Sequence, residues 1–364
     1  MIYIVLFLIL ASVAVLDLVK DMELPKFWIF LSCMVGLIFI SGIRWDTGPD
    51  WASYFDFYRD ILLYAKGPWV AANFIEPGYT DLNLFFHGLG FSYTGFLFVV
   101  AIVTIGLKAK VFFHHKDIMM IVLFLYYCYY LADIAAVRQF TAVSLTLLSA
   151  LFIIKRKPIW FLLLVFGACT IHISSILFFG AYWIYYRPHS KKLLFAILII
   201  ALILGVVNVP DSIIELIVKY IGGGSDIAAK LLTYKKQGIE SSRNPYLMLA
   251  LGMAKRAVVL PLFIFGVQLI KDKYRSRYVG YLNLLVFGNA IYFLFALSIP
   301  VIQRLSLPFL IFEIFLWGYL LVSISDIKLR YLSFLFVVLF GAFRLYSFIL
   351  PYKALYLPFK SIFG

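Results

Sequence analysis

Long apolar runs separated by short charged connections dominate the chain, and their lengths predict membrane-spanning helices. A hydrocarbon core of about 30 Å takes roughly 20 apolar residues of helix. Twelve runs approach that length, at about 1–19, 26–43, 91–107, 117–132, 134–154, 159–171, 173–186, 192–209, 246–270, 278–299, 305–324 and 331–349. The pattern predicts an all-α polytopic membrane protein of about 11 or 12 transmembrane helices, forming a single integral membrane domain over residues 1–364. The first run has no positive segment before it and no small-residue cleavage site after it, so it reads as a retained span. The stretch 159–186 lies between two basic clusters, Lys155-Arg156-Lys157 and Arg187 to Lys192. Both of its flanks should therefore face the same side, which predicts two short helices in a shallow hairpin that turns near Thr170–Ser175.

The connections alternate in charge. One set is basic: Lys20/Lys26, Lys108/Lys110/Lys116 with His114 and His115, the two clusters just named (the second with His189), Lys271 to Arg277, and Lys328/Arg330. The positive-inside rule makes these cytoplasmic and places both ends of the sequence outside. The other set holds two long extracytoplasmic loops, 44–90 and 210–245. The first carries Asp46, Asp50, Asp56, Asp60, Glu76 and Asp81, six of the chain's 18 acidic residues. Long polar connections in an otherwise apolar chain are where chemistry is usually placed, so the working face is expected to be extracytoplasmic.

Composition agrees with this frame. At 64% hydrophobic and 14% charged residues, with a mean hydropathy of +0.99, the chain is no ordinary soluble enzyme, disordered protein or disulfide scaffold. The net charge of +14 follows from topology and implies no nucleic-acid partner. Cys33, Cys128 and Cys169 all sit in apolar runs without ligand-like spacing. No P-loop, GxGxxG, HExxH, CxxC or GxSxG motif occurs, so neither a cofactor nor a metal site is expected. Gly222-Gly223-Gly224 reads as a flexible turn, and Lys235, Lys236 and Arg243 as a solvated face. The absence of paired broken helices in two matching halves counts against a transporter.

The residues that could carry chemistry are few. The first loop opens Arg44-Trp45-Asp46-Thr47-Gly48-Pro49-Asp50-Trp51 and runs on to Tyr54 and Tyr58; further along, Glu76-Pro77-Gly78-Tyr79 precedes Asn83. A Pro-Gly pair sets Glu76 just before a tight turn. Arg138, followed by Gln139, falls roughly 6–8 Å inside its predicted span, an expensive place for a charge, with pairing to Asp133 or another acid as the structural alternative. Lys255 and Arg256 fall about 15 Å into the 246–270 run, so either they line a polar cavity or the span begins later. Arg304 stands at the outer start of a span, where an interfacial anchor is the plain alternative. His172 sits with Ser174 and Ser175 at the predicted helix break, and a satisfied core histidine is its plain alternative. Guanidinium forks suit phosphate oxygens, so Arg44, Arg138, Arg256 and Arg304 together suit an anionic lipid headgroup. Stabilising a pyrophosphate leaving group would supply most of the catalysis of a glycosyl transfer, leaving a carboxylate or histidine to deprotonate the attacking hydroxyl.

Arg44-x-Asp46-x-Gly48-x-Asp50-x-x-x-Tyr54, Glu76-Pro77-Gly78-Tyr79 with Asn83, Arg138-Gln139, His172-x-Ser174-Ser175 and the late Arg304 occur in an order that resembles the EpsG/Wzy-type family of O-antigen and exopolysaccharide polymerases. The resemblance covers about three quarters of the chain, and departs from the family at Trp51, where a tyrosine is expected. It implies an enzyme of the bacterial inner membrane that joins undecaprenyl-pyrophosphate-linked oligosaccharides on the outer face. Arg44, Arg138 and Arg304, with Arg256, would bind pyrophosphate; Asp46, Asp50 and Glu76 would position or deprotonate the acceptor, with His172 as a second base candidate. Tyr54, Tyr79, Asn83 and Gln139 would contact sugars. The family also implies a chain-length-determining co-polymerase as a partner, beside the membrane lipid. An O-antigen ligase and a lipid-linked oligosaccharide flippase are the competing readings.

Overall fold

The computed structural model describes residues 2–19, 22–65, 75–135, 137–221, 245–297 and 302–364. Lys20, the triple glycine, Lys235, Lys236 and Arg243 lie outside them, as do 66–74 and 222–244 of the two long loops. Every described element is helical, apart from one isolated antiparallel bridge between Arg44 and Ser361. In chain order the main helices are α1 (Ile2–Ala14), α2 (Glu23–Ile43), α3 (Trp51–Arg59), α4 (Pro77–Gly88), α5 (Tyr93–His114), α6 (Met119–Tyr129), α7 (Arg138–Ile154) and α8 (Pro158–Ile171). There follow α9 (Ala181–Tyr186), α10 (Lys191–Val206), α11 (Val209–Ile221), α12 (Pro245–Gly266), α13 (Asp272–Leu294), α14 (Glu313–Ser323) and α15 (Ile327–Ile349).

Each predicted run has a helical counterpart, so the protein is an all-α polytopic membrane protein. Only five helices among the described residues are long and apolar enough to cross a bilayer by length and composition. α13, at 23 residues, is long enough but more polar, and several others are short, with breaks between them. Between α6 and α7 the chain breaks around Asp133, and between α8 and α9 a 3₁₀ segment, Ile173–Gly180, follows His172. Another, Ile302–Ser306, holds Arg304. The expected hairpin turn at 170–175 is therefore a helix break at His172.

The chain divides into two compact units, one of residues up to 173 together with 317–364, the other from 174 to 316. In the first, α6 is buried along its whole length. Its start is capped from a remote segment: Asp17 Oδ2 accepts the backbone N–H groups of Met120 and Ile121, both at 2.8 Å. The other Asp17 oxygen meets Lys26 Nζ at 2.6 Å. A carboxylate suits the unsatisfied donors of a helix start, and Lys26 balances its charge. At the opposite end of α1, Tyr3 packs edge-on against Tyr356 and Phe359. Those residues lie in the segment after α15, which pairs with the turn after α2. In the second unit, Arg256 lies midway along α12, donating to Asn289 Oδ1 at 2.5 Å and Gly252 O at 3.1 Å, with its guanidinium 3.6 Å from the centre of the Tyr292 ring. α12 starts at Pro245, and its stretch apolar enough to span runs Leu249–Leu269.

Three charge readings need correction. Lys108 belongs to no loop: it lies within α5, fully buried, with Nζ 2.7 Å from Asp133 Oδ2. Its ammonium also donates to Ser144 Oγ at 2.5 Å and Phe140 O at 3.3 Å, while the Tyr126 hydroxyl donates to Asp133. A hydropathy window ends at a lysine, yet a buried acid can hold that lysine inside the bundle. His115 is likewise buried, its Nδ1 2.6 Å from Tyr319 Oη. Arg138 is the first residue of α7 and lies no turn inside it; since Asp133 is taken by Lys108, Arg138 pairs with Glu76.

Candidate functional site

All the geometry that follows belongs to the first unit unless stated. Beyond α2 the backbone leaves the helix at Arg44, passes through a left-handed Asp46 (φ 40°) and turns at Gly48 (φ 96°) before α3. A residue with a side chain is strained at Gly48, and Asp is among the few that tolerate the conformation of Asp46. Arg44 is buried at 3% exposure and donates from Nη1 to Ser41 O at 2.5 Å and Ser41 Oγ at 3.2 Å. Burial lowers its pKa, opposed by the phenols of Tyr93, Tyr79 and Tyr356 and the Asp133 carboxylate. Below it lies a cavity of about 10 Å³, room for one water-sized guest, bordered by Ser41, Arg44, Thr104 and Asp133. Asp46 is exposed and bonded to Lys360 Nζ at 2.6 Å. Asp50, also exposed, precedes the first turn of α3, where Trp51 and Phe55 stack at 5.1 Å.

The second cluster forms where three remote segments meet. Glu76 stands at the N-cap of α4, with Pro77 occupying the first helical position as a residue without an N–H can. Gly78 is required by close approach: a Cβ there would lie 2.6 Å from Thr170 Oγ1 and 2.8 Å from Thr170 O on α8. This contact brings Glu76 to the end of α8. Glu76 Oε1 accepts the Ile173 N–H at 3.0 Å, and Oε2 lies 3.3 Å from Arg138 Nη1. The two side chains are only 11% and 17% exposed, so the pair sits in a half-dry site where charge is felt strongly. His172, one residue before the bonded amide, is buried with an extended backbone, and its N–H bonds Ala168 O.

The remaining candidates are placed unevenly. Tyr79 is buried, and burial raises its pKa well above the ordinary value, opposed in part by Asn83 and Arg138. Tyr54 meets the Tyr79 ring edge-on at 5.7 Å. Asn83 is fully buried and spends its amide N–H on Tyr79 O at 2.7 Å, which makes it a helix-packing residue in this geometry. Gln139 is half-buried beside Arg138 in the first turn of α7. Arg256 and the exposed Arg304 belong to the second unit. Among the described residues, no three His, Cys, Asp or Glu side chains are grouped to hold a metal ion.

Sequence reasoning missed three groups. Lys108 was taken for a loop cation. Lys360 has no local signal, since its partner lies more than three hundred residues away. Arg344 lies inside the last apolar run, with its guanidinium 4.2 Å from the centre of the Tyr129 ring; the cost of an intramembrane charge would have flagged it.

A polytopic all-α membrane protein with a half-buried arginine–carboxylate site at a helix break is the class these features define. The EpsG family profile matches residues 27–361, nearly the whole length, and the chain belongs to that family of Wzy-like polymerases, with a polysaccharide-polymerase type of role. No curated protein and no solved structure matches it.

Proposed function

We propose that the protein is a glycosyltransferase of the bacterial inner membrane that extends a polysaccharide at the extracytoplasmic face, using undecaprenyl-pyrophosphate-linked repeat units. The observation that carries this reading is the meeting of Glu76, Arg138 and the Ile173 amide, three points dispersed along the sequence. In the proposed reaction a hydroxyl of the incoming unit attacks the anomeric carbon of the growing chain. The bond to pyrophosphate breaks, the hydroxyl proton passes to a base, and undecaprenyl pyrophosphate leaves. Arg138 stabilises the charge that develops on the leaving group. Glu76 already accepts from an amide and an arginine, so its role is to hold Arg138 in place. Proton acceptance falls to His172, one residue from that amide, or to the exposed Asp50.

The test is reconstitution of the purified protein with a synthetic undecaprenyl-pyrophosphate oligosaccharide, resolving products by mass. A ladder spaced by whole repeat units, with released undecaprenyl pyrophosphate, is expected from the wild type. Arg138→Ala should lower its rate by about 10²–10³-fold at unchanged protein level. Movement of intact lipid-linked units between leaflets without a ladder would replace this reading with a flippase.

A further inference from the structure

We infer that the segment 353–362 is a strap that latches the turn carrying Arg44, and that Asp46 and Lys360 are positioning residues acting through that latch. The segment follows α15 and lies along residues 43–48. Ile362 N–H donates to Ile43 O at 2.9 Å, Trp45 N–H to Lys360 O at 3.0 Å and Gly48 N–H to Leu355 O at 3.0 Å. Thr47 Oγ1 sits 3.4 Å from the same Lys360 carbonyl. These bonds satisfy backbone groups that neither segment could satisfy alone, because the turn after α2 has left its helix and the strap has no strand partner of its own. Tyr356 anchors the middle of the strap, buried at 2% exposure and packed edge-on against Tyr3 and Phe348. Its phenol is among the groups that act electrostatically on Arg44.

The Asp46–Lys360 pair closes this arrangement at the surface, at 2.6 Å with both side chains about half exposed. Asp46 holds its carboxylate toward Lys360 from a left-handed backbone, a conformation that the neighbouring Gly48 turn imposes. The Asp46 carboxylate is turned to Lys360 Nζ across the strap, so the geometry points to Asp46 as a latch for the turn. An exposed pair is a weak closure. The strap is therefore held mainly by its backbone bonds and Tyr356, with the ion pair setting how often its outer end opens.

The assignment of Asp46 rests in part on the polymerase reading; the latch itself does not, and the experiment reads them separately. Asp46→Asn keeps a side chain suited to φ 40°, and Lys360→Met keeps the length of the lysine. The two singles, their double variant and Lys360→Arg are compared as full-length protein in detergent. Chymotrypsin cleavage after Phe359, quantified by mass, reports opening of the strap's outer end. Cleavage should rise about two- to five-fold in either single variant. It should rise no further in the double, since both lose the same interaction, and should stay at the wild-type rate in Lys360→Arg. Equal cleavage in all variants overturns the latch. In the reconstituted reaction, Asp46→Asn should keep at least about one fifth of the wild-type rate, against a loss of about 100-fold or more on removing a proton acceptor. A 100-fold loss in Asp46→Asn beside a wild-type rate in Lys360→Met would make Asp46 the base and overturn the positioning role. A wild-type protein that forms no polymer would refute the polymerase reading and leave the cleavage comparison to decide the latch.

Discussion

The buried pair Lys108–Asp133 makes a quantitative prediction whose sign depends on its surroundings. Removing one partner of a buried ion pair costs about 3–5 kcal/mol, because the other charge is left in a poorly solvating interior. The two removals should differ here. Within the cluster of Arg44, Lys108 and Asp133, two cations share one anion. Lys108→Met leaves one cation and one anion, with the Tyr126 hydroxyl still donating to the carboxylate. Its expected cost is the loss of a charged hydrogen bond, about 1.5–3 kcal/mol. Asp133→Asn takes the carboxylate away from both cations, and Lys108 keeps Ser144 Oγ and Phe140 O. The full cost of about 3–5 kcal/mol is expected there. The double variant should cost less than the sum of the two singles, since each removes the same interaction. The assay is equilibrium unfolding in mixed detergent–SDS micelles, followed by the exposure of Cys128, which is buried in α6. A Lys108→Met loss equal to or greater than that of Asp133→Asn would refute the charge count on which the ordering rests.

Other variants test the packing that positions the site. Gly78→Ala forces a methyl group against the side chain and carbonyl of Thr170, and should destabilise by about 1–3 kcal/mol; unfolding midpoints would measure this, and Thr170→Ala should restore little because the carbonyl remains. Tyr319→Phe deprives the buried His115 ring of its hydroxyl partner and should cost about 1–3 kcal/mol by the same assay. Replacing the neighbouring half-buried His114 by Phe should cost less than Tyr319→Phe by the same assay.

Lengths of apolar runs and the residues that interrupt them were enough to show that each run holds a helix, because the transfer of a segment out of water depends on its own composition; α3, α4 and α11 lie in stretches that read as loops, and the bounds of α5, α9 and α14 differ from their runs by about two turns. The break at His172 and the helix start at Pro77 were legible for the same local reason: one follows from two basic flanks around a run too long for one short span, the other from a Pro-Gly turn. Glu76 could be singled out by the Pro-Gly pair that follows it, and Arg138 as a charge in an apolar run, although it opens α7 and does not lie inside it. Their pairing could not: an acid partner for Arg138 was legible, but not that it would be Glu76 in place of Asp133. Which carboxylate a cation meets depends on how α4, α5, α7 and α8 pack, and nothing in the spacing along one segment encodes the distance to another. Lys108 shows the same limit, since its charge reads as a loop until the fold supplies a buried acid. Asp46 and Lys360 show it most fully: each is an ordinary surface charge in sequence, and only the tertiary structure lays the strap across the turn and brings the two within 2.6 Å.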